Sequence, residues 1–378
     1  MRAVVVRATV LSRPAQVTVN LDHLRHNFAL ARHHAGGARV MAMVKANAYG
    51  HGAVAVARAL SAADAFGVAC LEEALVLRGA GIAQPILLAA GFFSADELPE
   101  IARHGFQIVV HSQHQIETLL AARLARPLAA VWLKIDSGMH RLGIAPETAA
   151  AVHGRLLASA NVAEVRLMTH FACADTPGHD LNRLQLEAFA AAVSGLSGVR
   201  SQANSAALVA LPESRADWVR PGILLYGVNP FQEHHPVAAQ LRPVITLSSR
   251  VVAIQTLAAG EGIGYGHDWV AAQPTRVGIV AIGYGDGYPR HAGTGTPVLV
   301  AGHRTRTLGR VSMDLLAVDL TDVPGAEVGA EVVLWGEGLP AWEVARSVGT
   351  IAYELLTGIN ARVPVHYLGV GGRDRHSS

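Results

Sequence analysis

Cysteine is nearly absent: Cys70 and Cys173 are the only two, far apart and outside any CxxC pair, which argues against a disulfide framework and a thiolate zinc site. A reducing, cytoplasmic setting is the expectation. No run of about 18 uncharged apolar residues occurs, so no membrane-spanning helix is expected. The basic start, MRAVVVRATVLSRPAQ, is interrupted by Arg7 and Arg13 before it reaches signal-peptide length, and reads as a short extension. Also missing is any Lys/Arg run long enough to follow a nucleic-acid backbone, and the net charge is only +2, so nucleic acid is not an expected partner. The 19 histidines form no HExxH or other metal spacing; His33–His34 and His234–His235 read as solvated pairs, and no metal is expected. Internal repeats and low-complexity tracts are lacking too.

What is present is a chain of 378 residues, 51% hydrophobic and 16% charged, rich in Ala, Gly and Val, the composition of a protein that buries large cores. That length accommodates a barrel of roughly 250 residues plus a smaller domain. From about Arg39 to Gly227, short β-branched runs alternate with longer Ala/Leu/Arg segments of helical period. The expected strands lie at 39–44, 65–69, 85–90, 107–110, 131–135, 165–168, 199–203 and 217–220, about the eight that a TIM-type barrel needs to close. Helices are expected at 52–60, 72–79, 113–124 and 181–193, where apolar residues recur three or four apart. VTVNLDHLRHNFALARHH, before Arg39, reads as a strand, a turn and a helix packed on the barrel as a lead-in element of bland chemistry.

After about Leu241 the texture changes to strand-like runs broken by Gly, Asp and Pro: VITLSSRVVAIQTL, TRVGIVAIG, TPVLVAG, LLAVDL and EVVLWGEG. One long helix is expected at 341–359, ending near Gly358, and the terminal GGRDRHSS is expected to be loose. The expected organisation is an α/β chain: residues 1–241 form a (β/α)8 barrel with a short amino-terminal extension, and 242–378 a mostly-β domain.

In a barrel of parallel strands, reactive groups gather at the strands' carboxyl ends. Here those positions hold Lys45, then Lys134 with Asp136 to Arg141, then His170, then Asn204 with Ser205, then Arg220. Apolar neighbours before Lys45 place its ammonium at the edge of a desolvated pocket, where it loses pKa and becomes a nucleophile toward an aldehyde cofactor. Spacing alone equally allows a lysine that snorkels to solvent from a strand end. The Gly-rich AIGYGDGYPR does not complete a dinucleotide GxGxxG, because Tyr288 stands where the last glycine belongs.

VKANAYGHG resembles the pyridoxal-phosphate (PLP) lysine motif of the alanine racemase family, and the resemblance extends over nearly the whole chain. Further similar segments are WLKIDSGMHRLG, MTHFACAD, QANSAA, VRPGILLYG, GIGYGHDW, AIGYGDGYPR, GRVSMD and IAYELLTGINARVP, jointly very specific. The resemblance implies a racemase that interconverts L- and D-alanine, with Lys45 and Tyr265 on opposite faces of the substrate Cα. It implies that His170, linked to Arg220, supports the Tyr265 phenolate, and that Arg220 faces the pyridine nitrogen. Asn204 belongs to the cofactor-binding set. Tyr49, Ser205, Gly222, Ile223 and Tyr353 would hold the phosphate; Arg141 would meet the cofactor phenolic oxygen or the substrate carboxylate. Met313 and Asp314 would close the substrate pocket, Tyr284 would line its entrance, and Lys134 matches a position that can carry a carbamylated lysine orienting this arginine. A plain Lys134–Asp136 pair is the alternative at that strand end. A head-to-tail homodimer is implied, with Tyr265, Met313 and Asp314 serving the neighbour's site.

Competing readings are a PLP-barrel amino-acid decarboxylase, which would put an acidic group where Arg220 stands, and a non-catalytic PLP-binding barrel, which would lack the second domain. A racemase acting on serine or larger amino acids is the alternative within the same fold. D-Alanine supply for peptidoglycan and alanine catabolism are both open as the purpose.

Overall fold

The structure is a computed structural model that describes residues 13–369. The amino-terminal extension up to residue 12 and the terminal GGRDRHSS, expected to be loose, lie outside the described residues. The described residues divide into two units, Leu21–Arg242 and a second one that joins residues 243–369 to residues 13–20. The expected division at 241/242 therefore shifts by one residue, and its assignment of everything earlier to the barrel needs a correction. Strand β1 (Gln16–Asn20) belongs with the second unit, where it pairs in parallel with one strand and antiparallel with another.

The first unit is a closed parallel barrel of β2 (Arg39–Met43), β3 (Ala65–Val68), β4 (Ile86–Leu88), β5 (Gln107–Val110), β6 (Val131–Lys134), β7 (Val165–Met168), β8 (Arg200–Ser201) and β9 (Trp218–Val219), with β2 and β9 closing the ring. All eight fall inside the expected runs. Alternation along a strand sends one residue in two into the lumen. Met41, Ala65, Leu87, Val109, Trp132, Met168 and Trp218, from seven different strands, form one fully packed cluster there. The lumen is thus a core, and the space for chemistry lies above the strands' carboxyl ends. Around the barrel stand helices at Ala53–Ala59, Leu71–Gly79, Gln113–Ala121 and Asp180–Ala192, close to the four expected. Helix Leu21–Ala35 does pack on this unit: buried Asn27 donates to the carbonyls of Leu225 and Arg242 and accepts the Arg242 amide, satisfying itself completely.

The second unit is an eight-stranded sheet: β1 with β10 (Ile245–Leu257), β13 (Thr275–Val280), β14 (Pro297–Val300), β15 (His303–Leu308), β16 (Leu316–Asp319), β17 (Glu331–Trp335) and β18 (Val365–Leu368). A separate ribbon joins β11 (Gly262–Ile263) to β12 (Trp269–Val270). Strand β10 is long enough to serve two neighbourhoods. Its first half pairs with β1 and β17 and its second half, beyond a bulge at Val251/Ala253, with β13, so the sheet curls back on itself.

The single helix expected at 341–359 is two, Ala341–Ser347 and Ala352–Thr357. Gly349 takes φ +73°. From that position its amide reaches the Arg346 carbonyl at 3.3 Å, and the Thr350 amide reaches the Ala345 carbonyl at 2.9 Å. This paired bonding satisfies the first helix's last carbonyls and ends it, a stop that apolar periodicity cannot reveal.

Candidate active site

The whole chain contains only two lysines, Lys45 and Lys134, and both stand at the mouth of the barrel. Lys45 follows β2 and opens an unusual turn. Ala46, Asn47, Ala48 and Tyr49 all have φ between 50° and 54°, a left-handed helical turn built without glycine. Each such residue costs roughly 1–2 kcal/mol, so surrounding bonds must enforce the turn. Glu73 accepts the Ala46 amide at 2.6 Å and the Ala69 amide at 2.7 Å, tying the backbone beside Lys45 to a neighbouring helix. Asn47 accepts the Ala53 amide at 2.9 Å. Buried His51 donates from Nδ1 to the carbonyls of Ala48, at 3.0 Å, and Tyr49, at 2.8 Å.

This turn delivers Tyr49 to the ends of the last two strands. The Tyr49 ring stacks on Tyr226 at 4.7 Å, Tyr226 donates to the Met43 carbonyl at 2.8 Å, and the Tyr49 hydroxyl lies against Gly222. Ser205 Oγ accepts the Gly222 amide at 2.8 Å and the Leu224 amide at 3.3 Å, with Ile223 between them. Two hydroxyls and the buried backbone of Gly222 to Leu224 thus meet after β8 and β9, where barrels commonly hold a phosphate. Asn204 caps the helix Ser205–Ala210 by accepting the Ala207 amide at 3.0 Å, so its carbonyl oxygen orients Ser205.

The rest of the mouth is cationic. Arg220 is buried and donates to Ser201 Oγ, to the Thr169 carbonyl at 2.7 Å, to the Gln202 carbonyl at 3.2 Å and to His170 Nδ1 at 3.3 Å. Burial brings it down to about 10, which leaves it protonated at neutral pH. His170 is held well below its ordinary value by burial and then by the charges of Arg220, Lys134, Arg141 and Lys45. It is neutral, and since Nδ1 accepts from Arg220, its proton sits on Nε2. Lys134, 7% exposed, falls to about 8 through burial and the charges of Arg220 and Arg141. Lys45 is exposed at the open mouth by surface area, yet the protein displaces enough water from its ammonium to lower it, with Arg141 adding to the effect and Glu73 opposing it.

Asp136 does not pair with Lys134 among the described residues. It accepts the Gly138 and His140 amides, each at 3.0 Å, and faces the His140 ring at 3.1 Å, shaping the loop that carries Arg141. That loop is also tied to β5: the His111 carbonyl accepts the Gly143 amide at 3.2 Å, while His111 Nε2 donates to the Ala90 carbonyl at 3.1 Å. Glu73, His51, His111 and Ser201 were missed in the sequence.

In the second unit Tyr265 occupies a turn flanked by Gly264 and Gly266 and is 69% exposed. Tyr284 and Met313 are exposed as well, and their loops are joined by the bonds from the Tyr284 amide to the Ser312 carbonyl at 3.0 Å and from the Gly285 amide to the Met313 carbonyl at 2.8 Å. The Tyr265 turn reaches the same region, as Asp268 pairs with Arg310. Tyr353 stands half-exposed on Ala352–Thr357. No helix of the described residues is long and apolar enough to cross a membrane, and no group of three or more potential metal ligands occurs among them.

This arrangement suits an anionic cofactor that carries an aldehyde: a phosphate seat, a lysine of lowered basicity, and an arginine fixed deep in the barrel. Known proteins match this chain over nearly its full length. Residues 19–230 match the family model for the alanine racemase N-terminal domain and 244–367 that for its C-terminal domain. A catabolic alanine racemase from Pseudomonas aeruginosa is 53% identical over 358 residues, 94% of this chain and 99% of that protein. Among solved structures, the biosynthetic alanine racemase of Pseudomonas aeruginosa has 48% identity and a TM-score of 0.92, with 94% of this chain and 100% of the other covered. Alanine racemase from Bartonella henselae with covalently bound pyridoxal phosphate has 29% identity and a TM-score of 0.85 over 94% of this chain and 99% of its own. A barrel, a β unit and a cationic mouth with a lysine at the end of its first strand thus coincide with matches over nearly the full length, and the chain belongs to the alanine racemase family.

Proposed function

We propose that Lys45 and Tyr265 are the two opposed acid–base groups of an alanine racemase whose sites are shared between two copies of the chain. The activity is that of the family: PLP-dependent interconversion of L- and D-alanine. The match over both domains sets aside the decarboxylase and the non-catalytic barrel. Relatives include catabolic and biosynthetic enzymes, so both physiological directions accord with this chain.

Bound PLP supplies the electron sink that acidifies the substrate Cα–H. Lys45 holds the cofactor and, as a free amine, exchanges a proton at Nζ on one face of that carbon. Tyr265 Oη exchanges the proton on the other face, so inversion needs no rotation of the substrate. Tyrosine is a weak base at its usual pKa near 10, and the Nε2–H of neutral His170 is the donor assigned to its phenolate. Arg220, protonated at neutral pH, would stand at the pyridine nitrogen of bound PLP and would leave that nitrogen without a proton, limiting side reactions such as transamination. Tyr49, Ser205, Gly222, Ile223 and Tyr353 seat the phosphate, with Asn204 ordering Ser205. Arg141 receives the substrate carboxylate, oriented by Lys134 in its carbamylated form. Met313 and Asp314 close the substrate pocket and Tyr284 lines its approach.

The observation that carries the shared-site reading is the 69% exposure of Tyr265, beside the exposed Tyr284 and Met313. Large apolar side chains grouped at a surface mark a face that a partner covers. A cytoplasmic location is part of the same reading, supported by two cysteines that stand free. The test is a chiral assay of L-alanine with the PLP-supplemented protein. Approach to an equal mixture is expected; unchanged alanine with racemised serine would move the substrate assignment, and neither would refute the activity.

A further inference from the structure

Arg13 lies in a stretch whose sequence carries no chemistry, yet it ends in the centre of an ion cluster. Its guanidinium forks onto Asp286, pairing through Nη1 with Oδ1 and donating from Nη2 to Oδ2 at 2.7 Å. Nη2 also donates to the Asp314 carbonyl at 3.2 Å and stands 3.7 Å from Asp314 Oδ1. Arg362 repeats the pattern from the other side, with Nε 2.8 Å from Asp286 Oδ1 and Nη2 2.8 Å from Asp314 Oδ1. The Asp286 side chain has no exposed surface, whereas the two arginines remain 35% and 39% exposed.

A carboxylate so enclosed has lost its water and depends on these partners. Burial works against its ionised form, but the bonds from Arg13 and the Gly283 amide, with the charge of Arg13 and the bond from Arg362, carry it below the usual carboxylate value. Asp286 is also a structural node. Its Oδ2 accepts the Gly283 amide at 2.9 Å and its own carbonyl accepts the Asn360 amide at 2.9 Å. The turn it closes is the one stitched to Ser312 and Met313, so tightly that a methyl group on Gly283 would collide with the Ser312 carbonyl.

We propose that Arg13 is a positioning residue for Tyr284, Met313 and Asp314: with Arg362 it locks buried Asp286, and so fixes the turn 283–287 against the loop 312–314. The proposal rests on the assignment of those three residues to the substrate pocket. A bidentate arginine supplies both charge and direction, and a lysine in its place supplies charge alone. Because Arg13 is partly exposed, truncating it leaves no cavity in a core.

The test compares PLP-loaded wild type, Arg13→Ala and Arg13→Lys by alanine racemisation and by amide hydrogen exchange. In Arg13→Ala, exchange rises in peptides covering 283–287 and 312–315 and stays unchanged in barrel peptides. KM for L-alanine rises on the order of three- to tenfold with kcat within about twofold, the signature of a loosened pocket with intact chemistry. Arg13→Lys recovers part of both effects. Unchanged exchange in those two segments, or a fall in kcat with wild-type KM, overturns the proposal. If the wild type does not racemise alanine, the pocket assignment fails by itself, and the exchange data still judge the lock.

Discussion

Replacing Lys134 by methionine keeps the length and apolar stem of a buried side chain and removes its charge. Lys134 is 7% exposed, and burial with the neighbouring Arg220 and Arg141 brings it from 10.5 to about 8. That displacement corresponds to about 3 kcal/mol held against the charged form in the folded state. Below about pH 8 folded and unfolded chains both carry the proton, and the folded state bears this whole penalty. Between about 8 and 10.5 the unfolded chain alone remains protonated, so stability climbs with pH; above 10.5 both are neutral and the penalty is gone. Lys134→Met is therefore expected to be more stable than wild type by up to about 3 kcal/mol at pH 7, with the gap closing as pH approaches 10.5. Urea unfolding of the cofactor-free proteins in bicarbonate-free buffer at several pH values measures it. A variant less stable at pH 7, or a gap indifferent to pH, refutes the electrostatic account of this mouth. Added bicarbonate should stabilise wild type and leave the variant unaffected, if carbamylation neutralises the same amine.

Tyr265→Phe should bind PLP as wild type does yet lose turnover by roughly 10²–10⁴, the worth of a placed acid–base group; normal turnover removes Tyr265 from the mechanism. Mixing Tyr265→Phe with Lys45→Ala chains should restore activity, because a hybrid dimer has one site with both groups intact, and silence from verified hybrids excludes shared sites. His51 is fully buried and held at about 4, so the unfolded chain takes up its proton first as pH falls below 6.5. The stabilisation of about 3 kcal/mol present above pH 6.5 should fade toward pH 4 in wild type and not in His51→Asn, as parallel urea titrations would show.

The barrel was legible because each strand is a short apolar run between amphipathic helices, and all eight lie within the expected segments. Strand β15, HRTRTL, was not, since its half-exposed pattern mixes charges with threonine. Strand β1 was recognised as a strand and given the wrong neighbours. Pairing with β10 and β18 depends on residues more than two hundred positions away, which local pattern does not encode. At the mouth, Lys45, Lys134, His170, Ser205 and Arg220 followed from the strand-end rule. Glu73 and His51 escaped it because they act on backbone amides and carbonyls of the left-handed turn, a conformation that KANAYG does not announce.

A chain with two lysines, both at the mouth of its barrel, has an unusual relation to amine chemistry. Reagents that acylate or reductively alkylate amines find on most proteins a crowd of irrelevant surface targets. Within these 378 residues the only side-chain amines are the two at the barrel mouth, so aldehydes and activated esters carry a built-in address, and isotope-labelled lysine would yield a spectrum of two reporters. Attachment to an amine-reactive support through either side chain would block the mouth of the barrel.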